Sequence, residues 1–381
     1  MADRSWRREL KRTASGLAAR LWRRPPLTPA ELRALRPARI LIARPHNQLG
    51  DMVCATPVFR AVREAWPRAE IALICAPVNR DVVRHSPHLD RVILFDKKAC
   101  TRPGPLRAFL GEVRAFGPEL ALVPNSVSYS VTSAGLALLS GARWVVGCDS
   151  APFGFHVSRH AYSLELPSFP VMDRHAVDHH LAPFEAVGIA PSDRATLLVP
   201  SVEERARAAA VAADVPGDGP LWILHPGAAK PANLWPVERF AEVVRRATAA
   251  GRRLLVLQGP ADAAVLARLR TQLQAEPAPG PGAWRELPAV TVGVVAALLA
   301  RCDRFLCNDT GLMHVAGAVG APTVALFGPT DPALWAPRHP ALRVLRGAGG
   351  RVDTLTTDQV WRAYADLPGA VPKEDAWTSP S

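Results

Sequence analysis

Residues 304–332 open with Arg304-Phe305-Leu306-Cys307-Asn308-Asp309-Thr310-Gly311-Leu312-Met313-His314 and close with Thr323-Val324-Ala325-Leu326-Phe327-Gly328-Pro329-Thr330-Asp331-Pro332. An apolar strand runs into Asp309-Thr310-Gly311, a helix of small residues begins at once, and a second apolar strand follows. At such a junction the first backbone N–H groups of the helix lack partners and carry the positive end of its dipole. Thr310 and Gly311 are therefore candidate phosphate holders.

The same alternation extends in both directions. Buried-strand patterns occur at 38–44, 71–75, 91–95, 120–123 and 144–147, then again at 221–225 and 253–257, with helical stretches between most of them. A helix is expected from about Met52 to Ala65. Strands alternating with helices imply mostly parallel sheets covered on both faces. The pattern restarts after a Pro- and Gly-rich join near 190–218, and 381 residues suffice for two domains. The expected fold is α/β with two doubly wound, Rossmann-like domains facing one cleft. The expected segments are an arm (1–30), a first domain (31–200), a second domain (201–345) and a C-terminal helix and tail (346–381). Residues 275–288 read as a surface loop, and the chain beyond about Val371 as a disordered tail.

The net charge of +12 rests almost wholly on Arg, with Lys only at 11, 97, 98, 230 and 373. Much of the excess lies in residues 1–24, where Trp6, Leu10, Thr13, Leu17 and Leu21 recur at helical spacing among Arg residues. A basic amphipathic helix of this kind suits an anionic membrane surface; a solvated tail is the plainer alternative. No nucleic-acid motif accompanies it. The N-terminal region is charged throughout and does not read as a signal peptide. The longest apolar run, 288–300, is shorter than the roughly 20 residues a bilayer span needs. The six Cys residues lie in apolar segments without a CxxC pair and read as core thiols in a reducing cytosol.

Three further clusters fall at strand ends. Leu49-Gly50-Asp51 follows the first strand, and Asp51 is either a helix N-cap or a site carboxylate. The loop lacks the GxGxxG glycines, which disfavours a nicotinamide or flavin enzyme, and there is no P-loop. His225-Pro226-Gly227-Ala228-Ala229-Lys230 precedes Trp235-Pro236: Gly227 permits close backbone approach to a ligand, and Lys230 supplies a point charge suited to phosphate. Gln258-Gly259-Pro260-Ala261-Asp262 closes the next strand, with Gly259 for close approach and Asp262 as a ribose hydroxyl acceptor or an N-cap. His314, one turn inside the phosphate-facing helix, is a ligand contact or a packed residue.

In this order, Arg44 through Leu49-Gly50-Asp51 and Thr56-Pro57, the segment His175 to Ile189, His225-Pro226-Gly227 with Trp235-Pro236, and 308–332 resemble the motifs of glycosyltransferase family 9, the ADP-heptose:lipopolysaccharide heptosyltransferases. The resemblance covers about residues 38–340. It implies a GT-B architecture, an acceptor on the amino-terminal domain and a nucleotide sugar on the carboxy-terminal one. It assigns Asp51 as general base, Asp309 to the sugar, and Thr310, Gly311 and His314 to the diphosphate. Gly227, Lys230, Gly259 and Asp262 complete the expected donor side; Arg44, Gly50, Asn125 and Ser126 form the expected acceptor side. Direct displacement inverts the anomeric centre. No DxD motif is present, and no metal or other cofactor is expected besides the substrate, ADP-heptose or another nucleotide diphosphate sugar. The implied partner is a lipid-linked glycan acceptor, and the implied setting is a cytoplasmic monomer at the inner face of the inner membrane. One departure stands out: the family commonly places Lys or Arg just before the Trp-Pro pair, whereas Asn233-Leu234 stand here. A GT-B protein that binds, hydrolyses or isomerises a nucleotide sugar without an acceptor is the alternative function.

Overall fold

The computed structural model describes residues 22–124, 127–275 and 284–369. The expectations for the arm before residue 22, for Asn125 and Ser126, and for the tail beyond 371 lie outside the described residues. The chain forms two compact units, divided between Arg194 and Ala195.

The first unit contains β1 (Arg39–Arg44), β2 (Glu70–Cys75), β3 (Arg91–Leu94), β4 (Leu120–Val123), β5 (Trp144–Cys148) and β6 (Leu164–Leu166), in the spatial order β3-β2-β1-β4-β5-β6. The second contains β7 (Leu221–His225), β8 (Arg253–Val256), β9 (Trp284–Glu286), β10 (Arg304–Asn308), β11 (Thr323–Phe327) and β12 (Leu342–Arg346), in the order β12-β11-β10-β7-β8-β9. All the pairings are parallel. Each unit is thus a doubly wound sheet of the same order. In each, the strand sequence reverses between its first and fourth strands, so the crevice for a ligand opens beyond the carboxyl ends of β1 and β4 and of β7 and β10. The central strands are apolar on both faces because helices cover both; Ile40, Leu41, Ile42 and Ala43 of β1 are wholly buried.

The structure departs from the sequence reading in several elements. The edge strands β6, β9 and β12 were not anticipated, and β9 falls within the segment read as a loop. Its three residues, Trp284-Arg285-Glu286, are too few to display a period. The single helix expected over Met52 to Ala65 is two, Leu49–Cys54 and Thr56–Ala65. Pro57 has no N–H to offer the Val53 carbonyl, and the Thr56 hydroxyl donates to that carbonyl instead, at 2.8 Å. The C-terminal helix Thr357–Ala365 belongs to the core of the second unit: Tyr364 packs edge-on against Trp222, centroids 4.5 Å apart, and its hydroxyl donates to the Ile223 carbonyl at 2.8 Å. At the other end, Arg24 donates to the Leu138 carbonyl at 2.7 Å, which ties the chain just after residue 22 to the first unit.

Gly147 of β5 marks the tightest contact in the first sheet: a Cβ there would stand 2.7 Å from Val123 Cβ and 2.9 Å from the Val123 carbonyl oxygen of β4. Backbone and a β-branched side chain can yield little. Gly147→Ala is expected to destabilise the first unit by about 1–3 kcal/mol, read as a lower midpoint in urea unfolding; an unchanged midpoint contradicts this packing.

Candidate active site

Each unit places a polar cluster at its switch point. In the first, β1 ends at Arg44, whose guanidinium is buried although the chain then turns into the loop 45–48. Asn79, itself fully buried, fixes that loop by donating from Nδ2 to the His46 carbonyl at 2.6 Å. The following helix, Leu49–Cys54, has Gln48 at its N-cap, so Asp51 lies inside the first turn and caps nothing. The N-cap reading of Asp51 is therefore corrected. Its carboxylate points to Arg44, Nη2 to Oδ2 at 2.6 Å, and to His180, Nε2 to Oδ1 at 3.1 Å. His180 comes from the helix Ala176–Glu185, which packs against both helices that follow β1 and is capped by His175, whose Nδ1 accepts from the Val177 N–H at 3.2 Å. Arg44, expected on the acceptor side, turns its guanidinium onto Asp51. Gly50 precedes Asp51 in the same helical turn and is half-buried.

Burial pushes the Asp51 carboxyl upward, but the Arg44 charge, the His180 contact and His46 outweigh it and hold the group well below the usual carboxylate range. Burial and then Arg44 push His46 down to about 4. His180 is lowered as well, first by burial and then by Arg44, and burial pushes the neighbouring Cys54 thiol up to about 12. At neutral pH the cluster thus holds one guanidinium, one carboxylate and two neutral imidazoles. Arg44 Nε and Nη1, His46 Nδ1 and His180 Nδ1 are buried without a hydrogen-bond partner among the described residues.

In the second unit, β7 ends at His225, whose Nε2 lies 2.7 Å from Asp262 Oδ2; the same oxygen accepts from the Gly259 N–H at 2.6 Å. A Cβ on Gly227 would fall 2.1 Å from Asp262 Oδ1, and one on Gly259 2.6 Å from Oδ2. Both glycines therefore clear space for this carboxylate. Asp262 stands at the N-cap position of the helix Ala263–Gln274, but its side chain makes no cap bond to that helix. Although burial raises the Asp262 carboxyl, the His225 hydrogen bond and charge shift it lower overall.

The neighbouring strand β10 ends at Asn308, which is fully buried. Its Oδ1 accepts from the Trp235 N–H at 3.2 Å and its Nδ2 donates to the Pro226 carbonyl at 2.9 Å, so one side chain joins the His-Pro-Gly loop to the Trp-Pro segment. Asn233, standing where a basic residue was expected, is buried and donates from Nδ2 to Asp309 Oδ2 at 2.8 Å. Thr310 occupies the N-cap of Gly311–Val319 in extended conformation, and its side chain makes no cap bond to that helix start. His314 is buried with its ring edge-on to Trp335, centroids 6.3 Å apart. Lys230 is exposed, just before the short turn Pro231–Asn233. The structure thus gathers Gly227, Gly259 and Asp262 round His225, and Asn308 joins that loop to the strand leading into Asp309 and Thr310. Sequence reasoning did not find His46, Asn79 and His180 in the first unit, or the linking roles of Asn233 and Asn308 in the second; paired His179-His180 and the Asn308-Asp309 strand end were the available signals.

The model of glycosyltransferase family 9 (heptosyltransferase) matches residues 167–358. The chain belongs to glycosyltransferase family 9. It is 25% identical over 334 residues to lipopolysaccharide heptosyltransferase 2 of Escherichia coli (strain K12), covering 81% of this chain and 88% of the relative. Among solved structures, a glycosyl transferase family 9 protein from Veillonella parvula is 23% identical with a TM-score of 0.74, covering 86% of this chain and 96% of that one. The E. coli heptosyltransferase WaaC with ADP-2-deoxy-2-fluoro heptose is 20% identical with a TM-score of 0.64, covering 84% and 97%. The family 9 chain is accordingly a glycosyltransferase with the two-domain GT-B fold. Among its described residues no helix is long and apolar enough to cross a membrane.

The Arg44–Asp51 pair makes a stability prediction with a defined sign. The folded carboxyl lies below its unfolded value, so its stabilisation is fully present above the unfolded pKa, about 3.9, and is lost as pH falls toward the folded value. Asp51→Ala, which leaves Arg44 buried and unpaired, is expected to cost about 3–5 kcal/mol at neutral pH, with the gap from wild type narrowing below about pH 4. Urea unfolding across pH measures it, and a pH-independent gap contradicts the assignment.

Proposed function

We propose that this chain transfers a heptose, or a related sugar, from ADP-heptose or another nucleotide diphosphate sugar to a lipopolysaccharide-core or similar glycan, with inversion. The observation that carries the reading is Asp51: an ionised carboxylate at the β1 switch point with lone pairs beyond the two engaged by Arg44 and His180. A carboxylate accepts at about four positions, so after Arg44 and His180 about two remain, one of which can receive an acceptor hydroxyl. Support for the sugar and donor comes from the relatives, one named a lipopolysaccharide heptosyltransferase and one solved with an ADP-heptose analogue.

In this reading the acceptor binds the first unit and the donor the second. The acceptor oxygen attacks the anomeric carbon as Asp51 takes its proton; the new glycosidic C–O bond forms as the anomeric C–O bond to phosphate breaks, and the electron pair leaves with the nucleotide diphosphate. Lys230, the Thr310 hydroxyl and the first N–H groups of Gly311–Val319 stabilise that leaving charge, which makes a metal unnecessary. Asp309, oriented by Asn233, binds the sugar. His225 and Asp262 hold the glycine loops that border the nucleotide. Residues 1–24 place the enzyme on the anionic inner face of the inner membrane. The alternative, nucleotide-sugar binding or hydrolysis without transfer, draws on Asn233 standing where a cation was expected. Product formation with a glycan acceptor separates the two.

Asp51→Asn, nearly isosteric, is expected to lower transfer by about 10²–10⁴-fold while ADP binding by calorimetry stays at the wild-type value; wild-type turnover would exclude Asp51 as the base. Removing residues 1–21, and so sparing the Arg24 contact, is expected to abolish co-sedimentation with vesicles containing anionic lipid and to leave neutral vesicles unbound in both forms. Undiminished binding by the truncated chain contradicts the membrane role.

A further inference from the structure

His180 is the one member of the Asp51 cluster that comes from a distant part of the first unit, and no role in transfer attaches to it so far. Its Nε2 faces Asp51 Oδ1 at 3.1 Å and lies 3.4 Å from Arg44 Nη2. Two acceptors cannot face each other at that distance, so Nε2 carries the proton and donates to the carboxylate, and the Arg44 approach is then a contact between donors. Its Nδ1 is buried with no hydrogen-bond partner among the described residues, which suits an unprotonated nitrogen. Burial and the adjacent Arg44 favour the same neutral form. Arg44 and His180 therefore take one carboxylate oxygen each, from β1 and from the helix Ala176–Glu185.

We propose that His180 is a positioning residue for glycosyl transfer: as the neutral Nε2–H tautomer it holds Asp51 Oδ1 while Arg44 holds Oδ2, and the two fix the plane of the carboxylate so that a remaining lone pair receives the acceptor proton. A carboxylate held by one partner rotates about its Cβ–Cγ bond and spends less time aligned for proton transfer. The proposal rests on the reading of Asp51 as the base. It moves no proton onto His180, whose Nδ1 is buried. The other titratable or charged groups around the pair are Arg44 on β1, His46 in the loop after it, Cys54 on the helix that carries Asp51, and His179 beside His180. All four stay in place in the variants below.

The test compares His180→Phe, which fills the space without a donor, with His180→Gln, which restores an N–H. Both are assayed with ADP-heptose and deacylated lipopolysaccharide core, beside Asp51→Asn. His180→Phe is expected to lower kcat 10- to 100-fold with both KM values within about threefold of wild type, and to raise the acid limb of the pH profile because the charged carboxylate loses a donor. His180→Gln is expected to recover most of the rate, and His180→Phe to add nothing in the Asp51→Asn background. A folded His180→Phe enzyme with wild-type kcat and acid limb overturns the proposal, as does a Gln variant no better than Phe. If Asp51→Asn itself turns over normally, the base reading fails instead. Should the Phe variant not fold, His180→Met, smaller and equally donorless, carries the same expectation. Independently of any substrate, imidazole 15N shifts of the full-length protein should show His180 as the Nε2–H tautomer at neutral pH; an Nδ1–H or charged ring overturns the assignment.

Discussion

A carboxylate placed at the buried end of a parallel sheet must be matched or neutralised, and the first unit matches Asp51 with Arg44 at 2.6 Å and His180 at 3.1 Å. Burying a charge without such partners costs several kcal/mol, whereas a paired and hydrogen-bonded charge is tolerated. The neighbouring elements follow from that demand. Arg44 ends β1 facing inward, the helix break at Ala55 lets the short helix bearing Asp51 turn independently of the next, and the helix Ala176–Glu185 brings an imidazole from far along the chain. The result is a carboxylate held ionised before any substrate arrives, as the proposed base role requires. Preorganised charge of this kind needs no rearrangement at the moment of reaction.

The second unit meets a similar constraint with different residues. His225 and Asp262 form a buried pair across the ends of β7 and β8, and Gly227 and Gly259 are small because the carboxylate occupies the space their side chains would take. Asn308 then joins the His-Pro-Gly loop to the Trp-Pro segment, and Asn233 holds Asp309. Side-chain amides thus do the bridging, leaving the helix start at Thr310 and the exposed Lys230 free of side-chain caps or ion pairs among the described residues. Fixed amides and a helix start without a side-chain cap bond suit an anionic diphosphate, since neither adds competing negative charge.

Much of this was legible in the sequence, and the parts that were not share a cause. Central strands such as Ile40-Leu41-Ile42-Ala43 and Phe305-Leu306-Cys307 declare themselves because burial on both faces demands unbroken apolar runs. The edge strands β6, β9 and β12 are short or carry charges, since an edge faces solvent, and so they blend into loops. Strand-end motifs located Asp51, Gly227, Asp309 and Thr310, because tight turns and exposed helix starts need particular residues at fixed offsets. The partners of those residues could not be read in that way. His180 meets Asp51 only through the packing of one helix on two others, and the role of Arg44 depends on the direction its side chain takes. Gly227 and Gly259 were read as openings toward a ligand, because a sequence shows that a side chain is missing but not what fills the space. Asp262 fills it.

Whether a carboxylate already ionised serves as the base is read from the single-turnover transfer rate measured against pH with donor and acceptor saturating. With Asp51 as base the rate is expected to stay level from about pH 8 down to about pH 5, since Asp51 is held below the ordinary carboxylate range near 3.9 and remains charged throughout. A rate that falls with an apparent pKa near 6 to 7 would contradict it and assign the proton to a histidine.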